Sequence, residues 1–160
     1  MHALLLAMSL ALPANTSAEL NPGADQDLFL VVPATGVQIY ECAEQDGKWG
    51  WQFKAPEARL FDEARANEIG KHYGGPTWEA NDGSKIKGAV KARQDAPVGN
   101  IPWLLLTTTT EGLGRFAGVS FVQRLNTAGG IAPKGKCDKA MNGMTERVDY
   151  KADYFFYRKK

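Results

Sequence analysis

Apolar and polar positions alternate with a period of two along most of this chain, the pattern of strands buried on one face. In the last segment Val148, Tyr150, Ala152, Tyr154 and Phe156 share one face, while Arg147, Asp149, Lys151 and Asp153 share the other. Ile86, Gly88, Val90 and Ala92 alternate in the same way with Lys85, Lys87, Ala89, Lys91 and Arg93, which predicts a strand with a basic outer face. Trp49, Trp51, Phe53 and Ala55 fall together against Gly50, Gln52 and Lys54. Within 116–125, Val119, Phe121, Gln123 and Leu125 lie on one face and Ser120, Val122 and Arg124 on the opposite one. Two shorter runs, Leu28 to Val32 (ended by Pro33) and Val37 to Cys42, read as strands rich in β-branched and aromatic residues. Ile101 to Leu106 is apolar on both faces, as a strand covered from both sides would be.

Between these runs stand turn signals: Asp46-Gly47, Asn81-Asp82-Gly83-Ser84, Glu111 to Gly114, and Ala128-Gly129-Gly130. Residues 57–71 are the least strand-like, and their charged middle, 62–68, reads as one or two helical turns or a surface loop. A Lys- and Gly-rich stretch through Cys137 to Gly143 reads as a long loop before the last strand. The pattern therefore predicts a single all-β domain over 28–160, a β-sandwich or a small β-barrel of about eight to ten short strands. Spacing alone leaves both architectures open. At 160 residues, with 17 glycines and 8 prolines, the chain has the length of one domain and the composition of many turns.

The N-terminus changes how the cysteines are read. Ala3 to Leu12 is an apolar run of signal-peptide length, and the small residues Thr16, Ser17 and Ala18 place cleavage before Glu19. Residues 1–18 are thus expected to be a signal peptide and 19–27 a loose leader. The start carries no Lys or Arg, which a true start codon lying upstream would explain. The run is too short to span a membrane, and no later stretch qualifies. Export, to the periplasm or beyond the cell, favours pairing the only two cysteines, Cys42 and Cys137. Such a long crosslink is worth roughly 4 to 5 kcal/mol in the chain-entropy model. Two free thiols or two metal ligands are the alternatives, the latter disfavoured because His72 is the one histidine left after cleavage. No metal and no cofactor are expected. Lys plus Arg number 19 against 18 Asp plus Glu, a balance that argues against nucleic acid or anionic lipid as a partner.

No Gly-x-Ser-x-Gly elbow, phosphate-binding glycine loop, His-Glu-x-x-His or calcium loop is present. The best candidate site is 72–84, where His72, Tyr73, Trp78 and Glu79 lie among Gly74, Gly75 and Pro76. If 76–80 is extended, Trp78 and Glu79 point to opposite faces and cannot share a pocket without a bulge. The competing interpretation is scaffold: Trp78 in the core, Glu79 in an ion pair, His72 at a strand end. Gln123 reads as a buried amide needing partners, and Arg124 as either an anion clamp or half of an ion pair to Glu79 or Glu41. Trp103, with Trp78, is the ring expected to line any aromatic depression.

Five ordered stretches resemble a family of secreted bacterial and fungal proteins catalogued as domain of unknown function 3455. They are 36–42 (Gly36 to Cys42), 72–79 with Asp82-Gly83-Ser84, 101–106, 123–127 with Gly129-Gly130, and 150–157. The resemblance spans about Val32 to Tyr157 and implies one exported domain with Cys42 and Cys137 at the family's cysteine positions. It implies no activity, ligand or catalytic residue. A dehydrogenase label borne by some members finds no dinucleotide-binding fingerprint here.

Three function classes follow. The first is a non-enzymatic extracytoplasmic binding module for a glycan, a small anionic ligand or a protein. The second is a structural or surface-associated protein without a pocket. The third is a metal-independent hydrolase or lyase with His72 as acid or base, Glu79 as its partner and Arg124 as anion clamp, which requires all three at one cleft.

Overall fold

The computed structural model describes residues 12–160; the apolar run expected as the signal-peptide core lies almost wholly outside them. Eight antiparallel strands close into a barrel, each beside its neighbour in sequence. They are β1 (Gln26–Gln45), β2 (Lys48–Phe61), β3 (Glu68–Tyr73), β4 (Thr77–Ala80), β5 (Lys85–Gln94), β6 (Trp103–Glu111), β7 (Val119–Gly129) and β8 (Thr145–Lys159). The barrel, not the sandwich, is the architecture, because β1 pairs with β8 along nearly its whole length, from Gln26↔Lys159 to Glu41↔Thr145. Closure removes the two terminal edges of the sheet by pairing β1 with β8.

Two elements differ from the sequence expectation. Residues 57–61 continue β2 and 68–71 belong to β3, leaving only a turn at 62–67, where the Asp62 carboxylate caps the amides of Ala66 and Asn67. Two of the charged residues that flank the turn, Arg59 on β2 and Glu68 on β3, pair at 2.8 Å on exposed strand positions. Pro33 does not end the first strand. It pairs with Asp153 of β8, one residue before the β1–β2 ladder begins at Ala34, where the other side of β1 has no partner, the edge-like position in which proline is tolerated in a sheet.

The inner face carries the main core, including Val32, Leu60, Trp78, Ile86, Leu106, Val122, Tyr154 and Phe156. One end of the barrel is shut. Phe116 plugs it, edge-on to Phe156 at 5.0 Å, and its amide donates to Ser84 Oγ. Ser84 Oγ in turn donates to Asp82, which also accepts from the Arg115 amide; these bonds hold the Asp82 carboxyl down at about pKa 2. A second apolar cluster lies on the outer face of β6 to β8: Trp103, Leu105, Leu125, Phe155 and Tyr157, covered by Leu20. The leader is therefore anchored. Leu20 is fully buried, its carbonyl accepts from Gln123 Nε2 at 2.6 Å, and Gln26 and Asp27 already belong to β1. Gln123 is the buried amide the sequence indicated, its other end accepting from Tyr157 Oη at 2.7 Å.

Cys42 and Cys137 form the disulfide, tying the long loop between β7 and β8 to the upper end of β1. That loop also accepts from Trp51 Nε1 through the Gly135 carbonyl and from Tyr40 Oη through the Gly130 carbonyl. Replacing both cysteines with serine should lower the unfolding free energy by about 2–5 kcal/mol in denaturant titrations. The far-UV spectrum at room temperature should be unchanged, because the eight-strand ladder does not need the crosslink.

Candidate functional site

The unplugged end of the barrel opens into a cavity of about 450 Å³. Short hairpins at 46–47 and 74–76 and the longer loops 95–102 and 130–144 lie at this end, since an up-and-down meander sends alternate connections to the same side. The floor is aromatic. His72 and Trp78 face each other across the β3–β4 ladder and stack at 4.5 Å with planes 14° apart. Tyr154 packs edge-on against both, at 5.1 and 5.4 Å. The wall is apolar where Ile101, Leu104 and Leu106 line it.

Three cations line the cavity, Lys54, Arg93 and Arg124, and no carboxylate does among the described residues. Lys54 is answered at the rim by Glu41 at 2.5 Å. Arg124 is half-buried, and among the described residues no acidic side chain pairs with it, so the expected ion pair to Glu79 or Glu41 is not formed. Instead Nε and Nη2 both donate to the Pro102 carbonyl, at 3.0 and 2.7 Å, which fixes the plane of the guanidinium.

His72 is buried and neutral. Thr77 O lies 2.8 Å from Nδ1; a carbonyl only accepts, so Nδ1 carries the hydrogen and Nε2 the lone pair. Burial pushes the imidazole pKa down to about 3; the Thr77 bond opposes the shift and the Arg124 charge adds to it. Burial likewise raises Tyr40 and Tyr154, with the Arg124 charge pulling the other way, so both phenols stay neutral.

Of the residues singled out from sequence, His72, Trp78 and Arg124 come together in this cavity. Glu79 and Tyr73 do not. They stand on the outer face, where Tyr73 Oη donates to Glu79 at 3.0 Å and Lys71 and Lys85 each lie 3.4 Å from the same carboxylate. Trp103 is buried in the outer cluster, away from the cavity. The His72–Glu79–Arg124 trio is therefore not assembled at one cleft, for the reason strand alternation gives: Trp78 and Glu79 are neighbours on one strand.

Sequence reading missed Gln38, Tyr40, Phe53, Lys54, Arg93 and Tyr154 as lining residues. Gln38 is 2% exposed and on the same strand face as Tyr40; a polar residue in register with an aromatic core position was the available signal. Arg93 gave none. A register shift between Val90 and Ala92 turns Ala92 outward to the second cluster and Arg93 to the cavity. A second shift, between Ile39 and Tyr40 opposite 53–55, brings Phe53 and Lys54 both to the mouth. Among the described residues no cluster of three His, Cys, Asp or Glu side chains is placed to hold a metal ion.

The model of the family described as Protein of unknown function (DUF3455) matches residues 22–158. The chain belongs to this family. No curated protein and no solved structure matches it. Within this DUF3455 chain the matched segment takes in all eight strands except the last residue of β8, so the family domain is the barrel itself.

The buried imidazole makes stability depend on pH. The unfolded chain takes up a proton near pH 6.5 and the folded one only at about 3, so between these values the unfolded state binds more protons. Unfolding free energy should fall on acidification through this window by up to about 1.4 kcal/mol per pH unit. His72→Phe, which keeps a ring against Trp78 and cannot be protonated, should lack the part of that slope above the range where carboxylates titrate. Denaturant titrations at stepped pH, variant against native, measure the difference.

Proposed function

We propose that this protein is an exported, non-enzymatic binding module that takes a small organic anion into the open end of its barrel. The observation that carries this reading is Arg124: a half-buried guanidinium lining a cavity without a carboxylate among its lining residues. A cation placed among Ile101, Leu104 and Leu106 is poorly screened by water, and an anion brought to it gains more than it would at the surface. Eight-stranded barrels have interiors just wide enough to hold one small ligand. Export is supported by the apolar N-terminal run and by the Cys42–Cys137 disulfide, a crosslink typical of oxidising compartments.

An anion is favoured over a neutral glycan because the aromatic floor offers no free stacking platform. One face of Trp78 is taken by His72 and its outer ring edge abuts Gly88, where a Cβ would come within 2.9 Å of it. The hydrolase or lyase reading loses Glu79 to the outer surface, and His72 is too weak a base to hold a transferable proton near neutral pH.

A thermal-shift screen of the oxidised protein against carboxylates, sulfonates, phosphates, nucleotides and neutral sugars tests this reading. At a hundred times its dissociation constant a ligand adds about 2.7 kcal/mol, a rise of a few degrees for a domain of this size. One or more anions should give that rise, and Arg124→Gln should remove roughly 1.5–3 kcal/mol of it, the worth of hydrogen bonds to a charged group. Hits confined to neutral sugars, or anion hits indifferent to Arg124→Gln, would overturn the reading.

A further inference from the structure

Resting on the reading of the cavity as an anion site, we propose that its occupant is an amphiphilic monocarboxylate. The carboxylate is seated inward on Arg124, and the apolar body leaves the barrel past Phe53 and Val90. Charge fixes the first half of this assignment. Of the three cations that line the cavity, Lys54 is matched by Glu41 and Arg93 is exposed at the rim, which leaves one poorly solvated positive charge, at Arg124. A second negative charge carried inward would meet Ile101, Leu104 and Leu106 with no partner, and an unpaired charge in such surroundings is strongly disfavoured.

Geometry fixes the kind of anion. Nε and one N–H of Nη2 are spent on the Pro102 carbonyl, so the guanidinium cannot swing. The guanidinium also donates to the Tyr154 hydroxyl. A carboxylate, whose two oxygens match the planar fork of the N–H groups that Pro102 leaves on Nη1 and Nη2, would share or displace that bond. His72 adds no second positive charge, since its Nδ1–H is committed to Thr77 and its Nε2 only accepts.

The opening fixes the other end of the ligand. Phe53 and Val90 line the cavity and yet remain 54% and 50% exposed, two apolar side chains held in water at the exit. Phe53 packs on Tyr40 at 5.8 Å with the rings 67° apart, so it does not fold inward to cover itself. An apolar ligand body passing between these side chains removes that surface from water. A hydroxylated, fully polar acid would not.

Titration calorimetry on the native protein decides the matter with matched ligands: hexanoate, decanoate and benzoate, the corresponding amides, and the dianions adipate and phthalate. A monocarboxylate should bind at least about tenfold more tightly than its own amide, since hydrogen bonds to a charged group are worth that much or more. It should also bind more tightly than the dianion of the same skeleton, whose second carboxylate replaces apolar contact with Phe53 and Val90. Arg124→Gln should erase the preference for acid over amide. Phe53→Ala should weaken both acid and amide while keeping the preference. These comparisons on the native protein need no variant to fold. Amides equal to their acids, or dianions tighter than monoacids, would overturn the inward monocarboxylate. If phosphates or sulfonates from the wider screen bind through Arg124 while no monocarboxylate does, the inference fails and the anion site stands. If no anion in either set binds, both fall.

Discussion

The ladder between β1 and β8 is the interaction on which the rest of this molecule depends. It joins residue 26 to residue 159 and residue 41 to residue 145, so the two ends of the chain are the two sides of one seam. Without it the remaining pairings are a meander with two exposed edges, each a row of unsatisfied backbone groups. Close approach at the seam is demanding. Gly36 sits between β8 and β2, and a Cβ there would come within 2.2 Å of the Glu57 carbonyl, so only glycine fits where the strands curl most tightly.

Closure divides the side chains into three environments. Inward residues toward one end are sealed by Phe116 and the Asp82–Ser84 hydrogen bonds. Inward residues toward the other end line the cavity. Outward residues on β6 to β8 form the second cluster under Leu20, which explains why Trp103 and Leu105 are as buried as Leu104 and Leu106. The double burial expected for 101–106 is thus real, but one cover is the barrel interior and the other is the N-terminal segment.

The cavity is built from rigid parts. The disulfide and the Tyr40–Gly130 hydrogen bond hold the long loop against β1, and the Thr127 and Arg124 side chains pin the Ile101 and Pro102 carbonyls. A binding group fixed before its ligand arrives loses little entropy on binding. The same arrangement keeps His72 neutral, because it is packed between Trp78 and Tyr154 and away from water.

Much of this was legible in the residues alone. Period-two alternation gave β5 and β8 with their correct inner faces over most of their length, and it separated Trp78 from Glu79, because alternation is a local property of extended chain. It sorted β7 into its two faces without telling that Val122 and Arg124 point inward while Phe121 and Leu125 point outward. It also marked Arg124 as facing away from Gln123, and the two cysteines expected to pair do form the disulfide. Three things needed the tertiary structure. Sandwich or barrel turned on whether β1 would find β8, a pairing between the ends of the chain that no local pattern encodes. The mouth residues Lys54 and Arg93 turned on register shifts, each of which reverses the inside–outside parity beyond it. Arg124's lack of a carboxylate partner among the described residues turned on where their acidic side chains came to rest, and charge count along a sequence carries no distances.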